Sequence, residues 1–460
     1  MAERLKVIVL DDDPTGSQTV HSCPLLLRWD PHTLRQGLAH PSPLLFVLAN
    51  TRALGATEAR DRVVEICRAL RPLLAEAEAA GAIDRWLIVS RGDSTLRGHF
   101  PLEVEAMEQE LGPFAATLLV PAFLPGGRTT VEGVHRLHGE PVHTTAFARD
   151  RLFGYGTSDL PGWVEEKTAG RIPAQAVARL SLADLEGDPL SLCRRLAELA
   201  DSTVVAVDAE QPRHLEALGA AVRALATPEA AQPWGGPRRF VFQSAASLLN
   251  GLVPLPPQAL DGVGLAGLRR RGGHGECLPG LVVVGSHVPL ADAQLGALLD
   301  APGCRGVEVP VAKVARVLEG PAPLELLTSL EQQWLRQLEA TLAAGLTPVL
   351  FTSRGELACA SPAERRRLGL ELAALMARLA ARLAPGLGYL ISKGGITSHT
   401  LLADGLDLAV VELQGQLLPG LSLVLTPADA AVPGLPVLTF PGNLGDAQTL
   451  RQAWQLMQAD

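Results

Sequence analysis

Short apolar runs alternate with longer amphipathic segments along almost all of this chain, which restricts it to folds in which strands of a mostly parallel sheet are joined by helices. Leu5–Leu10, Leu44–Ala49, Trp86–Val89, Thr117–Val120, Val204–Val207 and Phe240–Phe242 read as strands. Thr57–Ala80, Pro101–Leu111 and Leu190–Ala200 read as helices, the first stopped by Gly81. At 460 residues the chain is too long for one core. Its composition shifts at Pro254-Leu255-Pro256-Pro257 and again at Arg269-Arg270-Arg271-Gly272-Gly273, and the alternation restarts beyond with Leu281–Val284. The expectation is two α/β domains with mostly parallel sheets, 1–253 and 281–460, separated by an exposed connector over 254–280. In the second domain, strands are expected at Pro348–Phe351, Tyr389–Ser392, Leu408–Leu413 and Pro436–Phe440, with a long helix from Pro362 to Leu383.

A formal net charge of −9 argues against nucleic acid or an anionic membrane as partner, since phosphate backbones call for a basic face. No apolar run approaches membrane-spanning length, and the amino terminus leads directly into Leu5–Leu10 and three aspartates without a signal peptide. The six cysteines are dispersed without C-x-x-C spacing, so they read as reduced thiols, and a cytoplasmic protein is expected. Only Lys6, Lys167, Lys313 and Lys393 are lysines among 40 basic residues, which draws attention to a lysine beside a motif.

Open α/β sheets bind ligands at the carboxyl ends of their strands, and four polar constellations fall there. Asp11-Asp12-Asp13-Pro14-Thr15-Gly16 follows the first strand; three adjacent carboxylates need a metal or hydrogen-bonding substrate, unless they form a solvated turn. Asp11-x-Asp13 also matches the nucleophile motif of haloacid-dehalogenase-type phosphatases. Arg91-Gly92-Asp93-Ser94-Thr95-Leu96-Arg97-Gly98 follows Trp86–Val89. There Arg97 suits a carboxylate, Asp93 a proton or hydroxyl, and Ser94 and Thr95 a polyol; the alternative is Asp93 or Ser94 as the cap of the next helix. Pro121–Thr130 brings Arg128, Thr129 and Thr130 into a glycine-rich loop, and His135, His138 and His143 beyond it read as loop or core residues rather than metal ligands. Lys393-Gly394-Gly395-Ile396-Thr397 lies between a strand and a helix, where backbone N–H groups favour phosphate, though without Walker A spacing. Gly285-Ser286 and Gly442-Asn443-Leu444-Gly445 end two further strands of that half.

With these residues in view the chain resembles the four-carbon acid sugar kinase family. The resemblance rests on Asp12-Asp13-Pro14-Thr15-Gly16, on Asp93 to Gly98, on Pro121 to Thr130 leading to Phe147-Ala148-Arg149-Asp150, and on the three glycine turns in their order. The chain departs from the commonest family pattern at Arg91-Gly92, at Ile396, where many members carry an acid, and at Asp11 and Ser17-Gln18-Thr19.

The resemblance implies an N-terminal sugar-acid-binding domain and a C-terminal nucleotide-binding domain. It implies ATP-dependent phosphorylation of a hydroxyl on a short sugar acid such as an erythronate, threonate or 3-oxo-tetronate. On this reading Arg97, assisted by Arg128, holds the substrate carboxylate, and Asp13 or Asp93 accepts the hydroxyl proton. Asp12 holds substrate or Mg2+, while Thr15, Ser94, Thr95 and Thr129 line the acceptor site. Ser286, Lys393, Gly394, Gly395, Ile396, Thr397, Gly442 and Asn443 surround ATP. The partner is a small-molecule sugar acid, with a homodimer left open. The rivals are a phosphatase using Asp11 and Asp13, and a sugar-acid sensor without turnover.

Overall fold

Val7, Ile8 and Val9 have no exposed surface, as a strand covered on both faces requires, and the strand they form (β1, Leu5–Asp11) has a parallel neighbour on each side. The computed structural model describes residues 4–355 and 361–459, which divide into two units, Met1–Pro257 and Gln258–Asp460.

In the first unit β1 is joined by β2 (Cys23–Leu26), β3 (Leu44–Leu48), β4 (Arg85–Arg91) and β5 (Ala116–Val120). A small antiparallel sheet follows, made of β6 (Arg128–Val131), β7 (Val134–Leu137) and β8 (Glu140–Pro141). The main sheet is completed by β9 (Ala178–Leu180), β10 (Thr203–Val207) and β11 (Phe240–Ser244), in the order β2-β3-β1-β4-β11-β5-β10-β9 with parallel pairings. Helix Ala56–Ala79 turns Val63, Ile66, Cys67, Leu70 and Leu74 inward at i, i+3, i+4 spacing. The chain leaves that helix through Gly81 at φ 61°, a conformation that favours glycine.

The register sets where function can sit. Asp11 pairs with Leu48 on one side and Arg91 on the other, Arg91 pairs with Ser244, and Ser244 with Val120. The carboxyl ends of β3, β1, β4, β11 and β5 are therefore level, and the loops that follow them leave from one edge.

The second unit contains β12 (Gly280–Val284), β13 (Cys304–Val309), β14 (Thr347–Thr352), β15 (Tyr389–Lys393), β16 (Val410–Leu418), β17 (Leu421–Leu425) and β18 (Pro436–Phe440). Its order is β13-β14-β12-β15-β18-β17-β16, parallel as far as β18 and antiparallel beyond. Val282, Val284, Leu298, Ile391, Leu438 and Phe440 are among the residues of its core. Two α/β units with mostly parallel sheets are thus what the alternation predicts. The edge strand β13 escaped it because Arg305 and Gly306 are exposed before buried Val307 and Glu308 is exposed between Val307 and Val309, a pattern too polar for an apolar run.

The stretch read as an exposed connector is exposed at Pro254, Pro256, Pro257, Arg271 and Gly273–Glu276, while its middle packs on the second unit. The units divide after Pro257, and beyond it Asp261 caps the short helix Gly262–Ala266, whose Leu265 and Ala266 lie in the second unit's core. Arg269 donates to the Leu278 carbonyl at 2.8 Å and Arg270 to that of Leu387 at 2.9 Å. The Pro-, Gly- and Arg-rich composition therefore marks irregular backbone tied down by guanidinium groups rather than a free linker.

Cys23, Cys67, Cys193, Cys277 and Cys304 form no disulfide among the described residues, and Cys359 lies outside them. Among the described residues no helix is long and apolar enough to cross a membrane.

Candidate active site

Three strand ends of the first unit bring a carboxylate cluster onto one guanidinium. Asp12 and Asp13 follow β1, and Asp93 follows β4. Arg52 sits in the turn after β3, which the left-handed Asn50 (φ 51°) redirects. Backbone bonds from Asn50 N–H to the Asp11 carbonyl (3.0 Å) and from Arg52 N–H to the Asp12 carbonyl (3.3 Å) lock the two loops together. Arg52 then reaches Asp12 at 3.2 Å, Asp13 at 2.9 Å and Asp93 at 3.4 Å. Behind it Arg91, the last residue of β4, faces Asp11 at 3.6 Å and Asp12 at 3.5 Å.

These four aspartates separate into two kinds. Burial pushes Asp11 up to about 7 against the pull of Arg91, and pushes Asp12 well above the usual carboxylate range against Arg52 and Arg91. One oxygen of each is buried without a hydrogen-bond partner, consistent with a proton resting there. Burial also acts to raise Asp13, but Arg52, two hydrogen bonds from Thr15 and Arg91 outweigh it and hold Asp13 below its ordinary value. Asp93 is held lower still, because Arg97, Arg52 and the Thr95 hydroxyl overcome its burial. Asp13 and Asp93 are therefore ionised carboxylates at neutral pH. Gly16 is required beside them: a Cβ there would lie 1.9 Å from the Asp11 carboxylate.

The Asp93–Gly98 loop is built for fixed geometry. Gly92 N–H continues the β4–β11 pairing to the Ser244 carbonyl at 2.8 Å, and Leu96 (φ 65°) and Gly98 (φ 134°) make the turn. Tyr155 Oη donates to the Thr95 carbonyl at 2.6 Å, and His135 Nε2 meets the Ser94 carbonyl at 2.8 Å. His135 is fully buried and also bonded to Thr130, so it is a core residue, as expected. The following helix, Leu102–Leu111, starts at Pro101 without a side-chain cap, so neither Asp93 nor Ser94 serves as one.

Arg97 Nε donates to Asp93 at 2.7 Å, and its guanidinium lies 5.0 Å from the Phe147 ring and 3.8 Å from Asp150. Arg128 bonds the Gly126 carbonyl and lies in the electrostatic range of both Asp93 and Arg97. Thr129 is half-buried on the hairpin strand β6.

In the second unit Val284, Lys393 and Phe440 are neighbours in register, so the three glycine turns emerge side by side. They approach closely enough to crowd a side chain. A Cβ on Gly285 would lie 2.1 Å from Thr397 Oγ1, one on Gly394 3.3 Å from Ser286 N, and one on Gly442 2.9 Å from Ser286 Oγ. Gly395 opens the helix Gly395–Thr400, with Ile396 and Asn443 facing solvent. Lys393 behaves otherwise than expected. It is fully buried, donating to the Pro441 carbonyl at 2.9 Å and the Gly442 carbonyl at 3.3 Å over the Phe440 ring, so it braces the last glycine turn from within.

Residues 7–252 match the sugar-binding N-terminal domain family and residues 281–450 the nucleotide-binding C-terminal domain family. The chain belongs to the four-carbon acid sugar kinase family. It is 30% identical to a D-threonate kinase of Cupriavidus necator over 79% of this chain and 78% of that protein. It is 28% identical to a D-threonate kinase of Bordetella bronchiseptica over 92% and 89% respectively. A solved structure from Salmonella typhimurium LT2 shares the fold with a TM-score of 0.67 at 17% identity, covering 99% of this chain and 100% of that one.

For a member of this kinase family, three arginines to which the sequence reading gave no role carry much of the site's geometry: Arg52, Arg91, which opens the Arg91–Gly98 run, and, in the nucleotide-binding unit, Arg354. Arg354 donates to the Ser286 carbonyl at 2.7 Å and pairs with Asp292 at 2.7 Å, fixing the Ser286 turn. Each stands at or just after a strand end, which is the one signal sequence offered. The surroundings of Asp12 do not suit a metal ion, since two guanidinium groups already face its Oδ1, and among the described residues no group of three or more His, Cys, Asp or Glu is placed to hold one. Asp11 is equally unsuited to act as a phosphatase nucleophile, being buried and raised to about 7.

Proposed function

We propose that the protein transfers the terminal phosphoryl group of ATP to a hydroxyl of a four-carbon sugar acid of the threonate or erythronate type. The observation that carries this reading is the Arg52-centred cluster, which keeps Asp13 and Asp93 ionised beside the guanidinium of Arg97. Phosphoryl transfer asks for positioning, charge neutralisation and a proton acceptor, and little covalent chemistry.

Arg97, with Arg128 beside it, receives the substrate carboxylate in a bidentate pair. Asp13 accepts the hydroxyl proton: it is the more exposed of the two ionised carboxylates, at 23% against 13% for Asp93. Asp93 orients Arg97 and, with Thr95 and Ser94, borders the polyol. Asp12 and Thr15 hold the base in place. Gly394, Gly395, Thr397, Ser286 and Gly442, brought together by the three adjacent turns, form the phosphate cradle. Because the surroundings of Asp12 do not fit Mg2+, no step here runs through a metal held by that residue.

A coupled ADP-release assay across four- to six-carbon aldonic acids tests the reading. ADP release that depends on a four-carbon acid is expected. Phosphate release from phosphoesters without ATP would favour the phosphatase, and acid binding without ADP release the sensor.

A further inference from the structure

Beside Asp93 and Arg97 the first unit has a recess whose lining includes Trp163, Gln243 and Ser244, and each of these carries a buried polar atom that no protein group satisfies: Trp163 Nε1, Gln243 Oε1 and Ser244 Oγ. Trp163 and Ser244 are only 2% and 3% exposed. An unsatisfied buried polar group is costly, and three on residues that border one recess point to a ligand that bonds them. Their placement is firmly determined. Gln243 and Ser244 close β11 in register with Ser90 and Arg91, and the Trp163 ring packs on Phe100 with centroids 4.8 Å apart. The Gln243 amide nitrogen is turned toward Gly92, where a Cβ would lie 2.6 Å from it, which leaves the oxygen to face elsewhere.

The three groups are an obligate donor, an obligate acceptor and a hydroxyl that can be either. A carboxylate or phosphate only accepts, so it would set its charge against Gln243 Oε1 and the ionised Asp93. An ammonium only donates and would leave Trp163 Nε1 unbonded. A hydroxyl does both. The volume, about 20 Å³, takes one water-sized group, so a hydroxyl fits and a phosphoryl group does not. The hydroxyl held here is therefore not the one phosphorylated. Because Arg97 borders the same recess, the hydroxyl within reach is the one on the carbon next to the substrate carboxylate.

We propose that Trp163, Gln243 and Ser244 form a specificity subsite that binds the 2-hydroxyl of the sugar acid and thereby sets the preference between epimers at carbon 2. This rests on the sugar-acid reading above. D-Threonate and D-erythronate differ at that carbon, so the subsite decides which is preferred.

The experiment compares D-threonate, D-erythronate and the 2-deoxy acid (3,4-dihydroxybutanoate) with wild type, Trp163→Phe and Ser244→Ala, measuring kcat/KM and, by calorimetry, Kd. Wild type is expected to favour one epimer over the 2-deoxy acid by about 100-fold or more, and each variant to shrink that ratio to about tenfold or less, with ATP affinity nearly unchanged. If wild type phosphorylates these acids and both variants keep the full ratio, the subsite is wrong and the kinase reading stands. If no acid is phosphorylated but Kd shows a 2-hydroxyl preference that the variants lose, the kinase reading fails and the subsite stands. Loss of that preference in neither measurement overturns the subsite whatever the activity. Should Trp163→Phe fail to fold, Ser244→Ala decides alone, since it removes one oxygen.

Discussion

Arg52 Nη2 lies 2.9 Å from Asp13 Oδ2, and the same guanidinium spans to Asp12 and Asp93. A lysine ammonium is a point charge and cannot bridge three carboxylates in a fixed fork. Arg52→Lys is therefore expected to lower kcat/KM for the acid by about 100-fold, with ATP affinity nearly unchanged. Arg52→Ala leaves buried carboxylates without their counter-charge and should also cost about 3–5 kcal/mol of stability, seen as a lower calorimetric melting temperature. A fully active Arg52→Lys enzyme would remove the cluster from the mechanism.

Arg52 also marks the limit of what could be read from the chain. The strands β1, β4, β5, β10 and β11 were legible because they are covered on both faces and so continuously apolar, and the Asp93–Gly98 and Asp11–Gly16 motifs were legible because polar groups at strand ends stand out. That β1 lies between β3 and β4, and so that Arg52 meets Asp13 and Asp93, is a fact of strand order, which no local pattern encodes. The direction of Lys393 is hidden for a related reason: its place after a strand and before two glycines suits a phosphate contact, but where its ammonium points depends on where the Pro441–Gly442 carbonyls fall.

Arg97 is expected to recognise charge. Arg97→Ala should raise KM for the acid by about 10- to 100-fold, the loss of a charge-assisted pair, with a smaller effect on kcat. The discriminating measurement is the ratio between the acid and its neutral amide: wild type should prefer the acid strongly, and Arg97→Ala should not. An unaltered ratio would assign the carboxylate to another residue.

Gly285→Ala tests the phosphate cradle. Its Cβ would come 2.1 Å from Thr397 Oγ1, so Thr397 or the Gly285–Ser286 turn must shift. The Kd for ATP should rise by about tenfold, whereas acid affinity, set in the other unit, should stay at the wild-type value. Calorimetric titration of each ligand reads both, and weakened acid binding with intact ATP binding would reverse the assignment of the units.

Asp11 should leave a signature in stability against pH. Its carboxyl is raised from 3.8 to about 7 by burial, so between those values the folded protein holds a proton that the unfolded chain releases. Stability from this group then falls as pH rises from about 4 to about 7 and is level above that. Asp13 and Asp93 have the opposite sign, since their depressed values stabilise the fold above the unfolded carboxylate range and lose that effect as pH falls below it. The contributions separate in the difference between wild type and Asp11→Asn, which keeps the shape of the protonated acid but cannot ionise. The variant's melting temperature should gain on wild type steadily from pH 4 to 7 and then run parallel to it. Parallel curves over the whole range would mean that Asp11 is ionised in the fold and that Arg91 outweighs burial there.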